Sequence, residues 1–102
     1  MRSITEKLVR DRIPEIMEKS GGSPKYRIVE GEELDKFLRK KIVEEAQELL
    51  ESGDIEEIVD IYEALESFAR HRKLDNGLLE TQKLAKNLAR GGFTQGYILE
   101  MD

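Results

Sequence analysis

Cysteine is absent from these 102 residues, and so is tryptophan. Without cysteine there is no disulfide framework and no thiolate metal site. Aromatic residues make up only 6%, so a core has to come mainly from Leu, Ile, Val and Ala. No apolar run approaches the roughly 18 residues of a membrane span. The start, Met1 to Glu6, carries no apolar leader region. Basic charge is in deficit: 17 Lys and Arg face 22 Asp and Glu, a net charge of −5. Duplex nucleic-acid binders carry a basic stripe, so such a partner is not expected. Together these absences predict a soluble cytoplasmic protein of one domain with no membrane partner.

Histidine is nearly absent too. His71 is alone, inside Ala69-Arg70-His71-Arg72-Lys73 at a predicted helix C-terminus. Cations are favoured there by the helix dipole. A ferritin-like di-iron centre needs Glu-x-x-His pairs on two helices, which one histidine cannot supply. No Ser-His-Asp set can be assembled around it. No G-x-x-x-x-G-K-[ST] loop occurs, which excludes P-loop chemistry.

What the chain has in excess is charge, at 38% of residues. Apolar residues recur between those charges at helical spacing. Asp11 is positioned to cap a short first helix with Pro14 in its opening turn. Ser20-Gly21-Gly22 ends it, and Tyr26 to Val29 reads as an extended connector. A long helix is predicted from Glu32 to Leu50, with Leu34, Phe37, Leu38, Ile42, Ala46 and Leu49 as its stripe. Gly53 turns the chain, and Asp54 caps a third helix from Ile55 to His71. Its stripe is Ile55, Ile58, Val59, Tyr62, Leu65 and Ala69, with Ile61 and Phe68 on one flank. Asp75-Asn76-Gly77 breaks it. A fourth helix runs from Leu78 to Arg90, with Leu78, Leu84, Ala85 and Leu88 facing inward. Gly91-Gly92 stops it. Phe93, Tyr97, Ile98 and Leu99 then form an extended arm packed on a partner surface. The expected architecture is an all-α four-helix bundle with short connections and short extended N- and C-terminal segments.

One pattern on those helices points to chemistry. Glu44-Glu45-Ala46-Gln47-Glu48 is followed, nine residues later, by Glu57-Ile58-Val59-Asp60. Residues three apart share a helix face, so Glu45 pairs with Glu48 and Glu57 with Asp60. The turn at Ser52-Gly53-Asp54 lets the two helices run antiparallel and brings the pairs together. Four carboxylates repel unless a positive charge sits among them. Hard oxygen ligands with open positions suit Mg²⁺, which takes substrate phosphates for the rest of its shell. The competing reading is a solvated acidic face. Drawn at about 100° per residue, Glu45 and Glu57 border their apolar stripes, while Glu48 and Asp60 lie further round. That predicts another helix, from a second subunit, walling this side.

Cations with a phosphate-binding habit accompany the acids. Lys83, Asn87 and Arg90 share a face of the last helix, with Lys86 adjacent. They read either as C-terminal cations favoured by the helix dipole or as phosphate and nucleotide contacts. Near the start, Lys7-Leu8-Val9-Arg10-Asp11-Arg12 reads either as an amphipathic lead-in or as a source of positive charge for a polyphosphate. A guanidinium matches phosphate oxygens two at a time, so Arg10 is the favoured contact.

Three ordered segments carry a family resemblance. They are Lys7-Leu8-Val9-Arg10-Asp11-Arg12-Ile13-Pro14-Glu15-Ile16, the two acidic motifs, and Arg90-Gly91-Gly92-Phe93. With them the chain resembles the all-α NTP pyrophosphatases, and within these the small MazG-like, phosphoribosyl-ATP pyrophosphohydrolase-like proteins. The resemblance spans nearly the whole chain. It implies a MazG-like bundle and hydrolysis of a nucleoside triphosphate to a monophosphate and pyrophosphate. It implies Glu45, Glu48, Glu57 and Asp60 as ligands of Mg²⁺, with Mn²⁺ as a substitute, and Glu44 as the acid that orients or deprotonates water. It implies phosphate or nucleotide contacts from Lys86, Asn87 and Arg90, with Lys83 beside them. The short gap between the acidic motifs leaves little protein to reach over a base. A homodimer, or a dimer doubled to a tetramer, is expected. The alternatives are phosphoribosyl-ATP as substrate, and a helical dimer that binds nucleotide or protein without turnover.

Overall fold

The computed structural model describes residues 5–101. The first residues, on which part of the no-leader expectation rests, lie outside that range. Four helices follow in order: α1 (Ile13–Lys19), α2 (Gly31–Ser52), α3 (Ile55–His71) and α4 (Asn76–Arg90), with no strand among the described residues. The all-α expectation therefore holds. Among these residues no helix is long and apolar enough to cross a membrane.

The organising unit is the α2–α3 hairpin, the one place where helices pack extensively against each other. Gly53 makes it possible. It closes α2 with φ 69°, ψ 12°, and its N–H donates to Leu49 O at 2.8 Å. That left-handed conformation costs glycine little. Asp54 occupies the next N-cap position in an extended conformation, without a side-chain cap. The connection is thus only Gly53-Asp54, and it fixes the register of the two acidic motifs.

The helix faces differ from those expected. Leu38 of α2 and Ala64 and Ala69 of α3 are the buried apolar residues, with Leu34, Ile42, Leu49, Ile61 and Phe68 half-buried around them. So α3 turns its Ile61 and Phe68 flank toward α2. The stripe taken for its inner face, Ile55, Ile58, Val59, Tyr62 and Leu65, is exposed. Ala46 is exposed as well. The reason is that α3 is apolar around much of its circumference. Only one sector can meet α2, and the small Ala64 allows close approach there.

Two caps are also corrected. The N-cap of α1 is Arg12, not Asp11, and no side chain caps it; Pro14 does sit in the first turn. Asp75-Asn76-Gly77 starts α4, because Asp75 Oδ1 accepts from Gly77 N at 2.9 Å. That accepted bond satisfies a helix-start N–H, so the segment read as a break is a cap.

A four-helix bundle closed within one chain is not formed. No residue of α4 is buried, and Leu78, Leu84, Ala85 and Leu88 face solvent. The arm residues Phe93, Tyr97, Ile98 and Leu99 are exposed too. The Cα radius of gyration is 17.7 Å. A compact domain of this length has about 13 Å.

Candidate metal centre

The acids that sequence spacing paired are brought together near the hairpin turn. One carboxylate oxygen from each of Glu44, Glu45 and Glu48 lies within 4.8 Å of the others, and the same holds for Glu45, Glu57 and Asp60. Glu45 belongs to both trios and joins them. Its residue exposure is 4%, the only charged side chain so deeply buried among the described residues. Glu44, Glu48, Glu57 and Asp60 are half-buried around it. Glu48 and Asp60, expected further round from the apolar stripes than Glu45 and Glu57, are as buried as Glu57; for Asp60 the reason is that α3 meets α2 through its Ile61 and Phe68 flank.

Electrostatics within the cluster are uneven. Partial burial raises the Glu57 carboxyl, and Glu48 within hydrogen-bonding reach, then Glu45 and Asp60, push it further, to about 7. Like charges crowded together cannot all ionise. Burial also works against ionised Glu44, but Lys7 and Lys41 outweigh it and hold that carboxyl below its ordinary value. Lys41 Nζ sits 3.3 Å from Glu44 Oε1 and 3.1 Å from Glu45 Oε1. Lys7 Nζ is 2.7 Å from Glu44 Oε1, and Arg10 Nη2 donates to Asp60 Oδ1 at 2.8 Å. Lys41 was missed in the sequence. Its spacing of three and four residues before Glu44 and Glu45 was the available signal.

One oxygen remains without a partner. Glu45 Oε2 is buried and accepts no hydrogen bond. An unpaired buried carboxylate oxygen is costly, and such groups are paired or coordinate metals. The donor set is all carboxylate, which suits a hard divalent cation such as Mg²⁺ or Mn²⁺ and offers no soft ligand. The residues present therefore fit such an ion.

The other expected contacts divide. Arg10 reaches the cluster and is engaged with Asp60. Lys83, Lys86, Asn87 and Arg90 do not reach it within the chain, because α4 stands away from the hairpin and leaves them exposed. A cavity of about 820 Å³ lies elsewhere, at the opposite end of the hairpin. There Arg72 first, with Arg39 assisting, holds the Asp35 carboxyl down to about 2. Arg72 Nε donates to Asp35 Oδ2 at 2.6 Å and Arg39 Nε to Oδ1 at 2.9 Å. Asp35, Arg39 and Arg72 satisfy one another there, away from the acidic trios. Comparison with protein-family models, curated proteins and solved structures gave no match.

Glu57 sets a pH dependence. Its carboxyl is raised from 4.5 to about 7, so the folded chain binds that proton more tightly than the unfolded chain does. The resulting stability is present in full below the unfolded value and is lost as pH rises through about 7. In EDTA, the melting temperature should climb between pH 8 and pH 5.5, and Glu57→Gln should flatten the climb. A melting temperature that falls over this range would contradict the assignment.

Proposed function

We propose that this chain is a MazG-like nucleoside triphosphate pyrophosphohydrolase that depends on Mg²⁺. The observation carrying the proposal is Glu45, buried, shared by two carboxylate trios and left with an unpaired oxygen. Glu45, Glu48, Glu57 and Asp60 would hold the ion, with Mn²⁺ as a substitute. A bound divalent ion supplies charge neutralisation for the polyphosphate and a lowered pKa for water.

The remaining work falls to the chain. Glu44, kept ionised by its lysines, orients the water and takes its proton. The water oxygen bonds to the α-phosphorus as the bond from that phosphorus to the bridging oxygen breaks. Pyrophosphate leaves with the electron pair. Arg10, Lys83, Lys86, Asn87 and Arg90 are the assigned contacts to phosphates and nucleoside. Positioning and electrostatics then provide most of the acceleration.

Those α4 residues need a second chain to reach a site, and the surface of this one calls for it. Its accessible area is 9,659 Å². A compact monomer of this mass has about 5,900 Å². The excess per chain is larger than the half-share that even an obligate dimer interface commonly takes from each partner, and two-fold symmetry is the commonest closure. The assembly proposed is a homodimer, or a dimer doubled to a tetramer, with sites at subunit contacts.

A nucleotide screen with Mg²⁺, read by pyrophosphate release, tests the activity. Products should be a nucleoside monophosphate and pyrophosphate. An α,β-methylene analogue should bind and resist, and a β,γ-methylene analogue should still be cut. Orthophosphate as the first product would overturn the mechanism. Including phosphoribosyl-ATP separates the histidine-synthesis alternative, and binding without turnover would identify the non-catalytic one.

A further inference from the structure

Three cations sit on the acidic cluster, and they are attached in two different ways. Lys41 belongs to α2 itself and reaches Glu44 and Glu45 from one turn earlier. Lys7 and Arg10 come from the segment before α1, which has no helix or strand of its own. They reach across to Glu44 on α2 and to Asp60 on α3, 37 and 50 residues away. The segment is pinned separately. Arg27 donates from Nε to Glu6 Oε2 and from Nη2 to Glu33 Oε2, both at 2.7 Å. Glu6 is thereby tied to the first turn of α2, and the side chains beyond it can leave the acids without the segment detaching.

Both side chains are half-exposed, at 53% for Lys7 and 54% for Arg10. Exposed ion pairs of this kind are weak and exchangeable. Each also sits where the proposed reaction needs an open position. Lys7 engages Glu44, the acid assigned to water, and Arg10 engages a carboxylate assigned to the metal. A divalent ion bound at Asp60 and a guanidinium on Asp60 compete for the same negative charge.

We infer that Lys7 and Arg10 form an exchangeable cationic strap. It neutralises the acidic cluster until a divalent ion enters, and then gives Arg10 to the polyphosphate and Glu44 to the water. The inference rests on the metal-site reading above. It makes metal entry and anion capture one event: the ion dislodges a guanidinium whose fork is suited to phosphate oxygens.

The test measures two affinities on the full chain. Mn²⁺ binding is followed by the electron paramagnetic resonance of the free ion. Inorganic pyrophosphate binding is followed by calorimetry in saturating Mn²⁺. Arg10→Gln should tighten Mn²⁺ by about two- to fivefold, the scale of one lost exposed ion pair. The same variant should weaken pyrophosphate severalfold. These opposite signs are what a merely structural Arg10 would not produce. Lys7→Gln should also tighten Mn²⁺, and Arg39→Gln, which removes an equal charge beside Asp35, should leave it unchanged. Circular dichroism confirms that each variant is folded. Mn²⁺ affinity unchanged or weakened by Arg10→Gln, or pyrophosphate affinity unchanged, overturns the strap while leaving the metal site standing. A wild-type chain that binds no Mn²⁺ overturns the metal site and the strap together.

Discussion

Replacing Glu48 with Gln should lower nucleotide hydrolysis by at least about 100-fold, the upper end of what even outer-shell metal partners contribute. The swap keeps size and shape but removes one charged ligand. Glu48 is the cleanest member of the quartet for this purpose. Glu45 is buried and paired with Lys41, and Asp60 holds Arg10, so changing either disturbs a cation as well. Asp60→Asn should abolish activity too, at an added cost of about 0.2–1 kcal/mol for the lost exposed pair. Without metal, Glu48→Gln should melt higher than wild type. The amide donates to Glu57 where a second carboxylate repels it. Activity and melting thus move in opposite directions, which separates loss of a ligand from loss of the fold. Wild-type turnover that persists in EDTA would remove the metal from the mechanism.

A charge placed in the outer stripe of α3 should break the assembly. Val59 and Tyr62 are exposed alongside Ile55, which is 75% accessible. Burying a side chain of this size is worth about 1.5–3 kcal/mol, and a buried unpaired carboxylate opposes it strongly. Light scattering at micromolar concentration should give wild type at least twice the 11.8 kDa chain mass. Val59→Asp or Tyr62→Asp should shift the mass to a single chain or leave an unfolded one, with activity lost in either case. A wild-type monomer that is folded and fully active would refute the assembly and leave the exposed stripe unexplained.

Much of the fold was legible because its signals were local. The third helix begins and ends where Asp54 and the basic stretch around His71 place it. The second extends one residue earlier and two later than the periodicity suggests. The pairing of the acidic motifs followed from three-residue spacing and one glycine turn. The facing of α3 was not legible. Apolar periodicity counts hydrophobic residues around a helix and carries no information about which neighbour each sector meets. Ile61, Ala64 and Phe68 lie on the covered side of α3, and the larger stripe is left exposed. The same limit explains α4, whose amphipathic pattern implied an inner face although no residue of α4 is buried. The contacts of Lys41 and the reach of Arg10 to Asp60, 50 residues on, depend on packing, so spacing could suggest the first but not the second.

The two-residue connection at Gly53-Asp54 has a kinetic consequence. Contacts across such a hairpin are local in sequence near the turn, and local contacts form early in folding. Glu48 and Glu57 lie close to that turn, so mutually repelling groups must meet near the beginning of the folding reaction. Lys41, on α2 itself, sits three and four residues before Glu44 and Glu45 and is local to them. Lys7 and Arg10 arrive from a distant segment and contribute only later. Once the hairpin is closed, Glu57 meets that repulsion by holding its proton up to about pH 7.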